Sequence, residues 1–459
     1  MTHGTLTISQ ITLAWNTIIT SFLDCHMSDN KSHASTPTKR FMRLAGMTAS
    51  ITGKVMSNSV KSLVGSPEQK AEARSEMYHE IGKQIANTLG EMKGAVMKVG
   101  QIASQYQDIF PPEIAAAMTK LQKEAPPMPF SVIEQQILHE LGAKPHEKFA
   151  EFDETPFAAA SIGQVHKAKL PTGEEVIVKV QYPGVEECCE SDLKHLRMAL
   201  KLAGVIKLSK EVQEKLFDEI RTSLHAELDY LQEAANLREF KAFHANDDKL
   251  IIPSVFDDFS SKRVLTLSYE AGDSLNTAKH YPHHVRNEIG ERLFHTLCEE
   301  LYHLHALHCD SHPGNFAFRP DGSLIMYDFG CVKRLTPTIV NDMKRLVRSA
   351  LANDYATVDI VLRDLGVRTN VGDVPPEYYL EWIDILLKPL KEPRFDFARS
   401  QVHEQVLAQI SSLMKYWDSF QPSAETMMVN RAVGGHYWNL VHLGVDLHLN
   451  KPLISYLNS

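Results

Sequence analysis

The sequence predicts an α+β protein in which a strand-rich segment lies between two helical stretches, and three observations lead there. Between Ile81 and Ala103 the apolar residues Ile81, Ile85, Leu89, Met92, Val96 and Val99 recur at three- and four-residue steps, the spacing of one helix face. After Pro156 the texture changes to short runs: Ile162 to Leu170, the turn Pro171-Thr172-Gly173, then Glu175 to Gln181. In the second run Val176, Val178 and Val180 alternate with Ile177, Lys179 and Gln181, so the pair reads as a hairpin. From Ala271 onward most of the chain is helical again, except the Leu324 to Tyr327 run between Asp321-Gly322 and Asp328-Phe329-Gly330.

The elements follow in order. Residues 1–40 are rich in Thr, Ser and Asn and read as a poorly ordered lead-in. From Thr38 to Lys61 the chain carries Lys39, Arg40, Arg43, Lys54 and Lys61 with no acid, interleaved with apolar residues. Such a basic amphipathic segment either lies on an anionic membrane surface or packs one face on its own domain. Prolines 111, 112, 126, 127 and 129 punctuate a helical region ending near Ala150. Leu216 to Leu237 reads as one helix with Ile220, Leu224, Leu228 and Leu231 on a face, and Arg263 to Tyr269 is a third strand.

Composition bounds the function. At 459 residues and 51.7 kDa, two to four domains are expected. Lys plus Arg number 48 against 57 Asp plus Glu, a net charge of −9, which disfavours a general nucleic-acid binder. Six cysteines are scattered without a C-x-x-C pair, which points to reduced thiols and a cytoplasmic setting. The apolar stretches Ile11 to Leu23 and Trp438 to Leu449 are too short or too polar for a membrane helix.

Four pieces, in order, match the parts needed for phosphoryl transfer. Lys179 sits in the β-branched strand Val176-Ile177-Val178-Lys179-Val180, where a fixed cation can reach the phosphates of ATP; taken alone it reads as a surface lysine. Glu227, Asp229 and Glu233 cluster on the next long helix, and the like charges Asp229 and Glu233, four apart, are costly unless a lysine or metal lies between them. In His308-Cys309-Asp310-Ser311-His312-Pro313-Gly314-Asn315 an aspartate precedes an asparagine by five positions, the kinase spacing of a catalytic aspartate and a magnesium ligand. Asp328, 18 residues after Asp310, ends a strand in an Asp-Phe-Gly triplet suited to hold magnesium.

From about Lys39 to Leu443 the chain resembles the UbiB/AarF family of atypical protein-kinase-like proteins. The most specific mark is Lys98-Val99-Gly100-Gln101, matching its K-x-G-Q motif, followed by the matching Gln105 to Pro112 run. Others are the alanine-rich loop Ala158-Ala159-Ala160-Ser161-Ile162-Gly163-Gln164, the run Lys179 to Val185, and Glu227-Leu228-Asp229 with Glu233, matching the E-x-D motif and the lysine-pairing glutamate. Cys309 and Ser311 depart from the family's usual Ala and Pro.

The resemblance implies a bilobal protein-kinase-like fold with a helical N-terminal extension: lead-in 1–37, extension 38–150, N-lobe 151–270, C-lobe 271–459. It implies ATP and Mg2+ as cofactors. Lys179 would contact the phosphates and pair with Glu233, Asp310 would take the catalytic position, and Asn315 and Asp328 would bind magnesium. Ala158, Ala159, Ala160 and Ser161 would cover the phosphates, and Leu267 to Glu270, including Ser268 and Tyr269, would be the hinge that meets adenine. Lys98, Gly100, Gln101, Glu227 and Asp229 would fold over the cleft as a regulatory element, implying an ATPase or small-molecule kinase more than a protein kinase. Ubiquinone or other lipid metabolism, a lipid or quinone-precursor ligand and peripheral membrane contact follow as expectations. The competing readings are a phosphotransferase of the aminoglycoside or choline kinase kind, a nucleotide-binding pseudokinase scaffold, and a metal hydrolase built on His303, His305, His308 and His312.

Overall fold

The computed structural model describes residues 45–55, 66–92, 127–159, 162–202, 227–409, 415–421 and 423–459, with parts of 214–225. The chain divides into two units, residues 1–133 with 182–207, and residues 134–181 with 208–459.

In the first unit, residues 45–55 are helical, followed by α1 (Pro67–Met92), the first turn of α2 (Phe130–Leu141) and α3 (Val185–Leu202). The local sequence Ser66-Pro67-Glu68-Gln69 starts α1 with a capping box. Ser66 Oγ accepts from the Gln69 N–H at 3.3 Å, and Gln69 Oε1 accepts from the Ser66 N–H at 3.0 Å. Met47 and Ile51 are buried, as are Ile81 and Ile85 on the predicted face of α1. Ser50 Oγ donates to Gln84 Oε1 at 2.9 Å and Lys54 Nζ lies 3.3 Å from Glu80, so the 45–55 helix packs along α1. The predicted Val96 and Val99, and the K-x-G-Q residues Lys98, Gly100 and Gln101, lie outside the described residues, as do residues 1–44.

The second unit opens with an antiparallel sheet of β1 (Glu151–Phe152), β2 (Ala158–Ala159), β3 (Gly163–Lys169) and β4 (Glu175–Gln181). After α4 (Tyr230–Phe243) and β5 (Leu250–Ile251), the strand β6 (Val264–Ser268) completes it in the order β1-β3-β4-β6, with β2 paired to β3. The predicted hairpin is present, its turn closed by Gly173 at φ +105°. Val176, Val178 and Val180 point into the core, and the register sets Lys179 on the opposite face beside Val165 and Leu265. A Cβ on Gly163 would lie 2.3 Å from the Val180 carbonyl oxygen, so only glycine lets the two strands approach here.

The rest is mostly helical: α5 (His283–Glu299), α6 (Pro337–Leu351), α7 (Tyr355–Asp364), α8 (Pro376–Leu386) and α9 (Ala424–Leu443). Four short strands are set among them: β9 (Leu324–Met326), the predicted run before Asp328, and three that the sequence pattern does not announce, β7 (Ala306–His308), β8 (Phe316–Phe318) and β10 (Val332–Arg334). They pair as β5-β9-β8 and β10-β7. One apolar core joins Leu237 and Phe240 of α4, Leu265 and Leu267 of β6, Ile289 and Leu293 of α5, Phe318, Met326, and Ala432 and Leu440 of α9. Sheet and helical lobe thus share a core, giving the kinase-like α+β fold with helices N-terminal to it. Among the described residues, no helix is long and apolar enough to cross a membrane.

The predicted single helix from Leu216 to Leu237 is corrected at Asp229. That residue is the N-cap of α4, its Oδ1 accepting from the N–H groups of Leu231 and Gln232 at 3.1 Å. Aspartate at a helix start satisfies donors that would otherwise be orphaned, so the helix begins afresh there and runs on to Phe243.

Candidate active site

Three elements bring charge to one point. Lys179, at the partly exposed face of β4, donates to Glu233 Oε1 of α4 at 2.6 Å and lies 3.3 Å from Asp328 Oδ2. Asp328 follows β9, and its Oδ1 accepts from the Gly330 N–H at 3.0 Å, which orients the carboxylate in a tight turn. A Cβ built on Gly330 would touch Asp328 Oδ1, the Glu227 side chain and Glu233 Oε2 at 3.2, 3.7 and 3.8 Å, so Glu227 converges on the same spot. Burial opposes the Lys179 charge, but Asp328 and Glu233 outweigh it and hold the ammonium well above its ordinary range. Burial pushes the Glu233 carboxyl up to about 7 against the pull of Lys179. Asp229 plays a separate part: it caps α4 with its side chain, so the predicted like-charge conflict with Glu233 does not arise within one helix.

The Asp310 loop is built between β7 and β8. His312 Nδ1 accepts from the Gly314 N–H at 3.1 Å to shape the turn, and Asn315 Nδ2 donates to the Asp310 carbonyl oxygen at 3.0 Å. The Tyr327 N–H in turn donates to the Asn315 carbonyl at 3.0 Å, so the segments carrying Asp310, Asn315 and Asp328 are tied together. On the other side α9 clamps the loop. Arg431 Nη2 donates to Asp310 Oδ1 at 3.0 Å, Asn439 Nδ2 donates to the Ser311 carbonyl at 3.1 Å, and Ser311 Oγ donates to the Ala432 carbonyl at 3.3 Å.

Ala158 and Ala159 form a short strand opposite Val165 and Gln164, folding the alanine loop back on β3; Ala160 and Ser161 lie outside the described residues. In the segment expected to be the hinge, the Ser268 N–H donates to the Ser254 carbonyl and the Tyr269 N–H to the Glu175 carbonyl, at 2.9 and 3.0 Å. Both amides are therefore committed within the protein, and an adenine ring would have to meet other backbone groups of this segment. Lys167 Nζ sits 4.3 and 4.7 Å from the ring centres of Tyr269 and Phe157 and donates to the Tyr269 hydroxyl at 3.2 Å, tying β3 to this segment.

The sequence reading missed Arg431 and Glu300, and it gave His308 no part in tying the Asp328 turn to the loop. Arg431 lies 121 positions beyond Asp310, and a lone arginine in an apolar helix carries no spacing signal. His308 was visible in the loop motif; its Nε2 bonds the Asp328 carbonyl, and its ring packs 5.0 Å from Phe329. Glu300 is fully buried and accepts the His308 N–H at 2.9 Å; an acid within an apolar run was the available signal.

The donor set fits magnesium. Asp328, 3.3 Å from Lys179, and Asn315, tied to the Asp310 carbonyl, carry the hard oxygen donors that would suit magnesium, which is typically held by one or two carboxylates together with substrate phosphates and waters. Three of the four histidines read as a metal alternative are otherwise engaged: His303 meets Ser459 Oγ at 2.9 Å, while His308 and His312 serve the loop backbone.

A lysine–glutamate pair from strand to helix, an Asp-to-Asn loop and an Asp-Phe-Gly turn on a two-lobed scaffold define an atypical protein-kinase-like protein. Residues 120–362, more than half the chain, match the ABC1 atypical kinase-like domain, and the chain belongs to that family. It is 28% identical over 436 residues to the mitochondrial atypical kinase COQ8 of Saccharomyces cerevisiae, covering 92% of this chain and 86% of that protein. It is 28% identical over 359 residues to the mitochondrial atypical kinase COQ8B of Danio rerio, covering 77% and 57% respectively. A chloroplastic relative, ACTIVITY OF BC1 COMPLEX KINASE 7 of Arabidopsis thaliana, is 31% identical over 316 residues, covering 68% and 45%. The chain thus spans less than two thirds of the last two proteins. Among solved structures, the Rv3197–erythromycin complex from Mycobacterium tuberculosis matches with a TM-score of 0.60 at 28% identity, covering 84% of this chain and 98% of that one.

Proposed function

We propose that this protein binds Mg-ATP and acts as an atypical kinase or ATPase in support of ubiquinone or other lipid metabolism. The observation that carries the reading is Lys179, bonded to Glu233 at 2.6 Å and 3.3 Å from Asp328, because a lysine held by a helix glutamate beside a metal-binding aspartate is the ATP-handling core of a kinase. In this reading Lys179 contacts the nucleotide phosphates and Glu233 holds Lys179 in place. Asp328 and Asn315 hold the magnesium ion, which neutralises charge on the phosphates when bound. Asp310, kept in place by Arg431, orients the attacking hydroxyl or water. The alanine loop of Ala158 to Ser161 covers the phosphates, residues 151–270 form the N-lobe and 271–459 the C-lobe, with the 38–150 extension bearing the regulatory K-x-G-Q motif.

Atypical-kinase names and organelle settings among the relatives support the reading. A lipid or quinone-precursor ligand and peripheral membrane contact belong to it as well, the latter motivated by the basic run from Lys39 to Lys61. Co-sedimentation with anionic liposomes at low salt is the expected outcome, and its absence would remove the membrane part alone.

The core reading is tested by thermal melting of wild type and Asp328→Asn with and without Mg-ATP, alongside ADP release. A ligand at about 100 times its Kd adds roughly 2.7 kcal/mol to the native state, so a magnesium-dependent rise in Tm is expected in wild type and not in Asp328→Asn. A rise without ADP release would favour a nucleotide-binding scaffold. No rise in well-folded wild type would overturn the reading.

A further inference from the structure

Helix α4 meets the catalytic segments along a single stripe. Glu233, Asn236, Phe240 and His244 follow at steps of three, four and four, so they share a face. Glu233 holds Lys179; Asn236 Nδ2 donates to the Phe329 carbonyl at 2.9 Å; the Phe240 ring packs 4.9 Å from Phe329. The stripe ends at His244, the C-cap residue of α4, and no part of the proposed chemistry uses it.

His244 is buried between two consecutive glutamates of the facing helix end. Its Nδ1 lies 3.4 Å from Glu299 Oε2 and its Nε2 lies 3.8 Å from Glu300 Oε1. Glu299, half exposed, also accepts from the Tyr456 hydroxyl at 3.4 Å. Glu300 is fully buried, and its other oxygen accepts the His308 N–H at 2.9 Å, at the entry to the Asp310 loop. Glu300 begins a single π-helical turn, Glu300–Leu304, closed by His305 at φ +55°; such turns recur at functional sites. Among the described residues neither Glu300 Oε1 nor His244 Nε2 has a hydrogen bond, so the 3.8 Å approach of the two and the His308 N–H are the polar contacts that compensate the burial of the Glu300 side chain. Burial opposes protonation of His244, yet the two glutamates together raise it to about 9, so the imidazolium is present at neutral pH.

The contacts therefore close a circuit: α4 to Lys179 through Glu233, Lys179 to Asp328, Asp328 to His308, His308 to Glu300, Glu300 to His244, and back to α4. We infer that His244 is a positioning residue, a cationic clasp between Glu299 and Glu300 that locks the far end of α4 to the backbone of the Asp310 loop and so keeps Glu233 on Lys179. Its mechanical part rests on geometry alone. Its catalytic part rests on the Mg-ATP reading.

The test uses full-length His244→Leu, the milder His244→Gln, and Glu233→Gln with and without His244→Leu. Amide hydrogen exchange is followed in peptides spanning 300–310 and 236–244, and kcat and KM for Mg-ATP are measured well below each variant's melting point. His244→Leu, which strands a buried carboxylate, is expected to speed exchange at 300–310 about tenfold, with His244→Gln between it and wild type. It should lower kcat/KM about fivefold in the wild-type background and add nothing in the Glu233→Gln background, because it acts through Glu233. A merely stabilising histidine would lower Tm and leave kcat/KM unchanged. Unchanged exchange at 300–310 in both His244 variants overturns the clasp, and an equal fractional loss of kcat/KM in both backgrounds overturns its action through Glu233. Should wild type show neither turnover nor a Mg-ATP shift, the functional reading falls while the exchange data still decide the clasp.

Discussion

Replacing Gly435 by alanine sets two effects of opposite sign against each other. Gly435 lies inside α9, where helix propensity alone favours alanine by about 1 kcal/mol. Packing says the reverse. The new Cβ would lie 1.9 Å from Ser311 Oγ, 2.8 Å from Ser311 Cβ and 3.4 Å from the Ser311 carbonyl oxygen. Rotating the hydroxyl relieves the first contact and not the second, so the helix or the loop must move. Overpacking of this kind costs about 1 to 3 kcal/mol, and a contact this close belongs at the upper end, leaving a net loss of about 2 kcal/mol. Unfolding a unit of about 300 residues carries an entropy of roughly 2.1 cal/mol/K per residue, so Tm should fall by about 3 °C. Asp310 is the residue before Ser311, so turnover should fall further than stability does. Thermal melting and Mg-ATP turnover of Gly435→Ala and of Ser311→Gly/Gly435→Ala make the test, the double variant recovering most of both losses. A single variant that melts at or above wild type, with unchanged turnover, would refute the tight seating of the loop on α9.

Other outcomes follow from the same geometry. Asp229→Ala should cost about 1 kcal/mol by removing the cap of α4, while Asp229→Asn, which caps nearly as well, should keep both Tm and the Mg-ATP shift; loss of the shift in Asp229→Asn would show that its charge matters. Arg431→Ala should lower kcat about tenfold with nucleotide affinity within about twofold of wild type, since Arg431 touches Asp310 and not the lysine site; a matching loss of affinity in a binding titration would contradict this. Burial depresses His436 to about 3 from the ordinary 6.5, so the unfolded chain binds this proton first as pH falls. Stability from this group is complete above pH 6.5 and is lost below it, by about 2 kcal/mol at pH 5. Denaturant melts at pH 7.5 and 5.0 should show that His436→Gln loses less between the two than wild type; equal losses would place the acid sensitivity elsewhere.

Much of this molecule is legible in its sequence because its motifs are local. The alternation around Lys179 determines which way the lysine faces, and the Asp310 and Asp328 turns carry their own hydrogen bonds, so each could be read in isolation. The partners of those residues could not. Arg431 and Asn439 reach the loop from a helix whose own sequence pattern reports only that one face is apolar. The strands β5, β7, β8 and β10 are two or three residues long, too short to show a period of two, and exist because neighbouring backbone needs partners. Asp229 was read as a charge within a helix because its neighbours are helical on both sides; capping depends on backbone direction, which residue type alone leaves open.

The seat of the Asp310 loop on α9 also changes what counts as the minimal active unit. The family match ends at residue 362, whereas Arg431, Gly435 and Asn439 lie on a helix spanning Ala424–Leu443. A chain cut at the end of the match would retain Lys179, Glu233, Asp310, Asn315 and Asp328 and would lose the surface against which their loop is pressed. During synthesis, too, the loop leaves the ribosome more than a hundred residues ahead of its support. The site is therefore completed by a late, long-range contact, and the nascent protein carries every motif before it has the geometry those motifs need.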